Sequence, residues 1–206
     1  MSKRYQRGRK REYFYRKAKE LKLRSRAAFK LRQLDDRYNL LRRGDVVVDL
    51  GAAPGGWLQI VREEVGDDGF VLGVDLQPIE KLPHANVKTM VADITDPSMP
   101  ELIRQNLPHL ANVVLSDASP KISGVWSVDH SRSIELARAA LMIAERVLEP
   151  GGRLLVKVFQ GELFQKFVGE VREKFEFIKV SKPPASRKGS AEAYIIGKGF
   201  RPSRKS

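Results

Sequence analysis

Two short clusters of residues in this chain have types and spacings that could do chemistry. The first is Asp49-Leu50-Gly51-Ala52-Ala53-Pro54-Gly55-Gly56-Trp57, which follows the β-branched run DVVVDL and precedes the amphipathic stretch WLQIVREEV. In open α/β sheets, ligands bind outside the carboxyl ends of the strands, where such a turn lies. Its glycines let a ligand approach the backbone, and the following helix offers free N–H groups. Pro54 stiffens the loop and removes one donor. The pattern is not the G-x-G-x-x-G of a pyrophosphate-binding loop. An acid beside the loop, Asp49, suits the ammonium group of an amino-acid moiety. The second cluster pairs Lys157, inside the apolar run LLVKVF (154–159), with Asp117 in SDASP (116–120). A lysine in an apolar central strand is rare unless it is paired, so Asp117 is its natural partner. A purely structural buried ion pair is the alternative.

Two further acids close apolar runs. Asp75 ends FVLGVDL, where a carboxylate accepts both ribose hydroxyls of an adenosine. Asp93 closes NVKTMVADI, where a carboxylate can accept the adenine amino group. Its alternative role is to open the turn Ile94-Thr95-Asp96-Pro97. Asp75 alone fits NAD and S-adenosylmethionine equally. Acids at the ends of three consecutive strands favour S-adenosylmethionine.

The elements that must position these residues follow from periodicity. Short β-branched runs read as strands at 45–50, 70–76, 86–94, 112–118 and 153–159. Helical spacing marks 57–65, 100–107, 131–149 and 161–173, with Pro150-Gly151-Gly152 stopping the third of these. FEFIKVSK (175–182) and AEAYIIGKGF (191–200) are strands with no helix between them, and so form a hairpin. Near the N-terminus, Tyr15, Ala18 and Leu21, then Ala27, Ala28, Leu31 and Leu34, recur at helical spacing, with Ser25 as the N-cap between two pieces. Alternating strands and helices imply an α/β fold: a doubly wound, mostly parallel seven-stranded sheet with a C-terminal antiparallel hairpin. The domain reading is a basic N-terminal arm with helices over 1–43, a core domain over 44–200 and a basic tail over 201–206.

Charge is segregated along the 206 residues. The formal net charge is +13. Residues 1–43 carry 17 Lys/Arg against 4 Asp/Glu, residues 44–178 carry 13 against 20, and residues 179–206 carry 8 against 1. Two basic ends flanking an acidic middle point to a polyanionic partner, with nucleic acid ahead of an anionic membrane surface. The absence of Cys excludes disulfides, thiolate metal sites and a cysteine nucleophile. No apolar run reaches the ~18 residues of a membrane span. MSKRYQRGRKRE has no apolar stretch behind its charges and is not a secretory signal. A cytoplasmic protein is expected, with no membrane partner and no metal.

SRAAFKL (25–31), VVDLGAAPGGW (47–57), SDASP (116–120), LVKVFQG (155–161) and SAEAYIIG (190–197) together resemble the FtsJ/RrmJ-type RNA ribose 2′-O-methyltransferases. The resemblance runs from about Tyr13 to Gly199, and the N-terminal segment is archaeal in type. It implies a catalytic tetrad of Lys30, Asp117, Lys157 and Glu192. It places cofactor contacts at Gly55, Trp57, Asp75, Asp93 and Asp117, with S-adenosylmethionine as the cofactor. It implies a monomer acting on RNA, a uridine of large-subunit ribosomal RNA first and the tRNA anticodon loop as the alternative. One departure stands out. Bacterial members read Asp-Met-Ala-Pro-Asn after the fourth strand, and this chain reads Asp117-Ala118-Ser119-Pro120-Lys121.

On this reading Lys157 is the base for a very weakly acidic 2′-hydroxyl. Burial and Lys30 would lower its pKa, and Asp117 would raise it. A charged Lys157 that orients the hydroxyl is the other role open to it. Glu192 would hold Lys30 or the ribose. Other classes fit less well. An NAD-dependent oxidoreductase lacks its three-glycine fingerprint here, and a non-catalytic RNA-binding module has no use for the tetrad.

Overall fold

The computed structural model describes residues 16, 19–187 and 189–202. The expected N-terminal arm over 1–11, the helical positions Tyr15 and Ala18, and residues 203–206 of the basic tail lie outside them. In chain order the elements are α1 (Ala28–Tyr38), β1 (Val46–Leu50), α2 (Gly56–Val65), β2 (Phe70–Asp75), β3 (Val87–Val91), α3 (Met99–Asn106), β4 (Ala111–Ser116), α4 (Trp126–Val147), β5 (Leu148–Phe159), α5 (Phe164–Lys174), β6 (Phe175–Ser181) and β7 (Glu192–Phe200). One seven-stranded sheet runs in the order β3-β2-β1-β4-β5-β7-β6. β1 to β5 are parallel, and β7 inserts antiparallel between β5 and β6. No helix among the described residues is long and apolar enough to cross a membrane.

Helices cover both faces, so the central strands are buried on both sides, as their continuous apolar runs require. On one face α3, α4 and α5 bury Ile103, Ile134, Ala140 and Phe167 against Val48, Leu50, Val114, Val156 and Ile195. On the other, α1 and α2 bury Leu31, Leu34, Leu58 and Val61 against Val47, Val113, Leu115, Leu155 and Ile196. Side chains alternate across a strand. Asp49 therefore shares the face of Val47, and Lys157 that of Leu155. Asp117, one residue past β4, continues the alternation of Val113 and Leu115. The chemistry-bearing residues thus converge on the α1/α2 side.

The order 2-1-4 reverses the direction of strand addition between β1 and β4, which makes their carboxyl ends a topological switch point. The two loops touch there. The Asp117 N–H donates to the Leu50 carbonyl at 3.1 Å, and a Cβ on Gly51 would come within 2.6 Å of the Ala118 Cα. With φ at +75° as well, position 51 accepts glycine and little else.

Four expectations need correction. Ser25 does not cap α1: Ala27 occupies the cap position with no side-chain bond. Ser25 packs instead against Gly56, where a Cβ would collide with its Oγ. The third strand ends at Val91 rather than at 94, so Asp93 sits in the following turn, held there by its own bonds to Thr95. Pro150-Gly151-Gly152 does not precede β5 but lies within its extended course. Ala111 pairs with Leu148 and Val113 with Arg153, so Glu149–Gly152 bulge opposite Asn112. Helix α4 also starts at Trp126, earlier than 131. Its first turn is largely exposed and shows no apolar periodicity.

Candidate active site

Lys157 and Asp117 form the predicted pair. Lys157 Nζ donates to the Asp117 backbone carbonyl at 2.5 Å and lies 3.1 Å from its Oδ1. The lysine side chain is 5 % exposed and the aspartate 17 %, so solvent screens the pair little. Lys30 comes from α1, with its Nζ 3.1 Å from Glu192 Oε2. Burial pushes the Glu192 carboxyl up, but Lys30 and Lys157 pull harder, and it rests below the usual carboxylate range. The four tetrad positions therefore form two joined ion pairs at the carboxyl ends of β4 and β5 and the start of β7.

A fifth residue belongs to this cluster and was missed in the sequence. Tyr194 is directly opposite Lys157 in the β5/β7 ladder. Its hydroxyl donates to Asp117 Oδ1 at 2.7 Å, its ring lies 5.7 Å from Lys30 Nζ, and it is fully buried. Burial, and then the Asp117 carboxylate, push the phenol well above its ordinary range, so it remains a donor. The available signal was its spacing. Two positions after Glu192 in a strand, it must share that residue's face.

The loop after β1 is framed from three sides. Asp75 Oδ2 accepts from the Ala53 N–H at 2.9 Å, and its Oδ1 accepts from Gln77. The Ala53–Pro54 peptide is cis, and Gly55, with φ at +101°, caps α2. Arg24 reaches over the loop, donating to the carbonyls of Pro54, Glu80 and Lys81. A Cβ on Gly55 would lie 2.8 Å from the Arg24 guanidinium. Trp57 is buried, donates its indole N–H to the Ala27 carbonyl at 2.9 Å and packs beside Tyr194. Its ring thus supports α1, which leaves backbone N–H as the group it can offer a ligand. Asp93 Oδ1 accepts from the Thr95 N–H and hydroxyl, so its turn-opening role is real. The exposed residue stands beyond β3, away from the lysines.

Asp49 is the anomaly. It is fully buried, and neither carboxylate oxygen has a hydrogen-bond partner among the described residues. Burial, with Asp117 and Asp75 as negative neighbours, pushes its carboxyl well above the usual range. Such a group lacks a cationic or donor partner. A positively charged ligand beside β1 would supply one, and this observation makes the site fit a sulfonium- and ammonium-bearing cofactor. The raised pKa also sets a sign. An acid raised in the folded state stabilises fully below its unfolded value and loses that contribution as pH rises toward the folded value. Asp49→Asn should therefore gain stability over the parent as pH rises from about 4. Thermal unfolding of the ligand-free chain across pH measures this. Parallel curves for the two proteins would contradict it.

Residues 23–200 match the family described as FtsJ-like methyltransferase. The chain is 54 % identical over 187 residues to a Methanothrix thermoacetophila protein named ribosomal RNA large subunit methyltransferase E, covering 91 % of this chain and 72 % of the relative. Proteins of the same name from Methanococcus maripaludis (50 % over 192 residues, 93 % and 74 % covered) and Methanothermobacter thermautotrophicus (46 % over 201 residues, 98 % and 95 % covered) are similar. Among solved structures, a Plasmodium falciparum chain described as a ribosomal RNA methyltransferase superposes with a TM-score of 0.76 at 27 % identity, covering 86 % of this chain and 98 % of that one.

Proposed function

We propose that this chain, which belongs to the FtsJ-like methyltransferase family and is a methyltransferase, methylates a ribose 2′-hydroxyl of RNA, with a uridine of large-subunit ribosomal RNA as its target and S-adenosylmethionine as its methyl donor. The observation that carries this reading is the convergence of Lys157, Asp117, Lys30, Glu192 and Tyr194 beside the Gly51–Gly56 loop. One end of that assembly fits a cationic nucleoside, and the other an RNA hydroxyl.

The bound donor supplies a methyl group already activated by its positive sulfur. Asp75 would accept from its ribose hydroxyls with the lone pairs left over from Ala53 and Gln77. Asp93 would accept from its adenine amino group, Asp117 would add a further contact, and Gly55 and the backbone of Trp57 would line its path. What remains for the protein is alignment and one proton. Lys157 Nζ donates to the Asp117 backbone carbonyl and is ion-paired with Oδ1 at 3.1 Å. An uncharged amine held this way would have its lone pair free to take the 2′-hydroxyl proton as the oxygen–methyl bond forms and the methyl–sulfur bond breaks. Tyr194 holds the Asp117 carboxylate still. Lys30, fixed by Glu192, steadies the incoming ribose. The 2′-hydroxyl is the group DNA lacks, so this arrangement selects RNA.

Mass-spectrometric mapping of 2′-O-methyl groups after incubating large-subunit ribosomal RNA and tRNA with enzyme and donor tests the reading. Methyl groups in ribosomal RNA support it. Modification confined to tRNA redirects the target, and no modification of either RNA overturns it. The basic N-terminus should grip phosphates around the target. Removing residues 1–11, with their six Lys/Arg, should weaken RNA binding. It should also flatten the salt dependence, by roughly 0.7 in log–log slope for each phosphate that is no longer neutralised. Unchanged affinity across a salt titration would refute that role.

A further inference from the structure

Beyond the tetrad, the loop from β4 into α4 carries an exposed apolar patch. Ile122 is 62 % exposed, Val125 55 % and Trp126 51 %. Exposed apolar side chains clustered in one loop mark an interaction site rather than scattered surface residues. Trp126 is also pre-oriented. Its ring stacks on Phe159 at 6.2 Å with an interplanar angle of 13°, and on His130 at 5.9 Å and 19°. Phe159 is the last residue of β5, two positions after Lys157 and opposite Glu192 in the ladder. The indole plane therefore flanks the outer edge of the tetrad.

The loop that carries it is held firmly. Asp129 accepts from the Ser123 N–H and hydroxyl through Oδ1, and from the Gly124 N–H through Oδ2. His130, itself 5 % exposed, uses Nε2 to accept from the Leu163 N–H. The local charge suits a polyanion. Within residues 118–132 the single acid is Asp129, which is buried and turned inward, while Lys121 and Arg132 are exposed. This basic, aromatic edge interrupts a segment that is otherwise acidic overall. Every nucleobase has a π-face, and stacking on aromatic side chains is how unpaired RNA bases are held.

We propose that Trp126 is a stacking platform for a nucleobase of the RNA substrate, seated beside the ribose that the tetrad addresses. The proposal rests on the RNA methyltransferase reading above. It gives the Asp117–Arg132 loop a role in binding, and exposed Lys121 a phosphate to meet.

The test uses tryptophan emission. Trp57 is 3 % exposed, so the solvent-exposed emission belongs to Trp126. A short oligouridylate should quench it, and an abasic oligomer with the same phosphates and 2′-hydroxyls should not. Trp126→Ala should weaken oligouridylate binding about five- to a hundredfold and leave abasic binding unchanged. Trp126→Phe should restore most of the affinity without the signal. No quenching by oligouridylate, or equal losses for both oligomers, would overturn the platform. Methyl transfer to RNA without quenching removes the platform alone. Quenching without methyl transfer to any RNA removes the proposed function instead.

Discussion

Replacing Lys157 with alanine is expected to lower the rate of methyl transfer by roughly two to four orders of magnitude, the range for loss of a positioned proton acceptor. Affinity for the methyl donor should change little, because Lys157 points from β5 toward Asp117 and Tyr194 rather than into the loop after β1. The geometry also separates two roles for the lysine. Lys157→Arg preserves a permanent positive charge but offers no lone pair near neutral pH. If Lys157 takes the proton, arginine should be nearly as inactive as alanine. If it serves only as a fixed charge, arginine should recover much of the rate. Single-turnover kinetics with saturating donor and RNA, read beside calorimetric donor affinity, distinguish these outcomes. An alanine variant with full activity would remove Lys157 from the chemistry.

The second large effect is on stability and lies away from the site. Asp45 and Arg153 form a buried ion pair: Arg153 Nη2 donates to Asp45 Oδ1 at 2.8 Å, and the two side chains are 8 % and 7 % exposed. Arg153 Nη1 also donates to the Leu40 carbonyl at 2.8 Å, and Asp45 Oδ2 accepts from the Arg42 N–H at 2.7 Å. The pair thus ties the end of the α1 segment and the start of β1 to β5. Lys198 lies opposite Arg153 in the ladder. Burial, then Arg42 and Arg153, already hold its ammonium below the usual lysine range. Removing the Asp45 carboxylate, the one bonded to Arg153 among the described residues, leaves a buried cation uncompensated, at a cost of about 3–5 kcal/mol. Asp45→Ala should therefore lower Tm by roughly 10 °C. Asp45→Ala combined with Arg153→Met should recover most of that loss, because a buried pair replaced by apolar groups is near neutral. A single variant within about 1 °C of the parent would show that Arg153 finds another partner at little cost.

Much of this architecture is legible in the chain because the relevant signals are local. β-branched runs mark the parallel strands, and the helical spacing of Ile134, Ala137, Leu141 and Ala144 marks the buried face of α4. The polar loop between 182 and 191, with no helical pattern, marks the terminal hairpin, and β6 and β7 pair antiparallel as that requires. The readings that need correction turn on distant contacts at Ser25 and at Pro150-Gly151-Gly152, and on a local turn at Asp93. Ser25 has the residue type of a cap, but its hydroxyl is needed against Gly56 on another helix. Asp93 has the position of a strand end, but its own bonds to Thr95 close a turn there. Pro150-Gly151-Gly152 does follow the end of α4 at Val147, and β4 accommodates it as a bulge within β5.

The site divides along the same line. The sequence by itself determined which residues stand at the carboxyl ends of β1, β2, β4 and β5, because alternation within a strand and turn chemistry after it are short-range properties. It also determined that a lone lysine in an apolar strand needed an acid, since the low dielectric there penalises an isolated charge. Only the tertiary structure decided that β7 would insert beside β5 and bring Tyr194 and Glu192 to Lys157. The structure likewise placed Lys30 over that same face. It also decided that Asp49 would be sealed without a hydrogen-bond partner among the described residues, and that Trp126 would stack against Phe159. Those outcomes depend on strand order and on which helix covers which face. They are settled by burying two apolar surfaces at once, a requirement of the whole chain that no window of sequence contains.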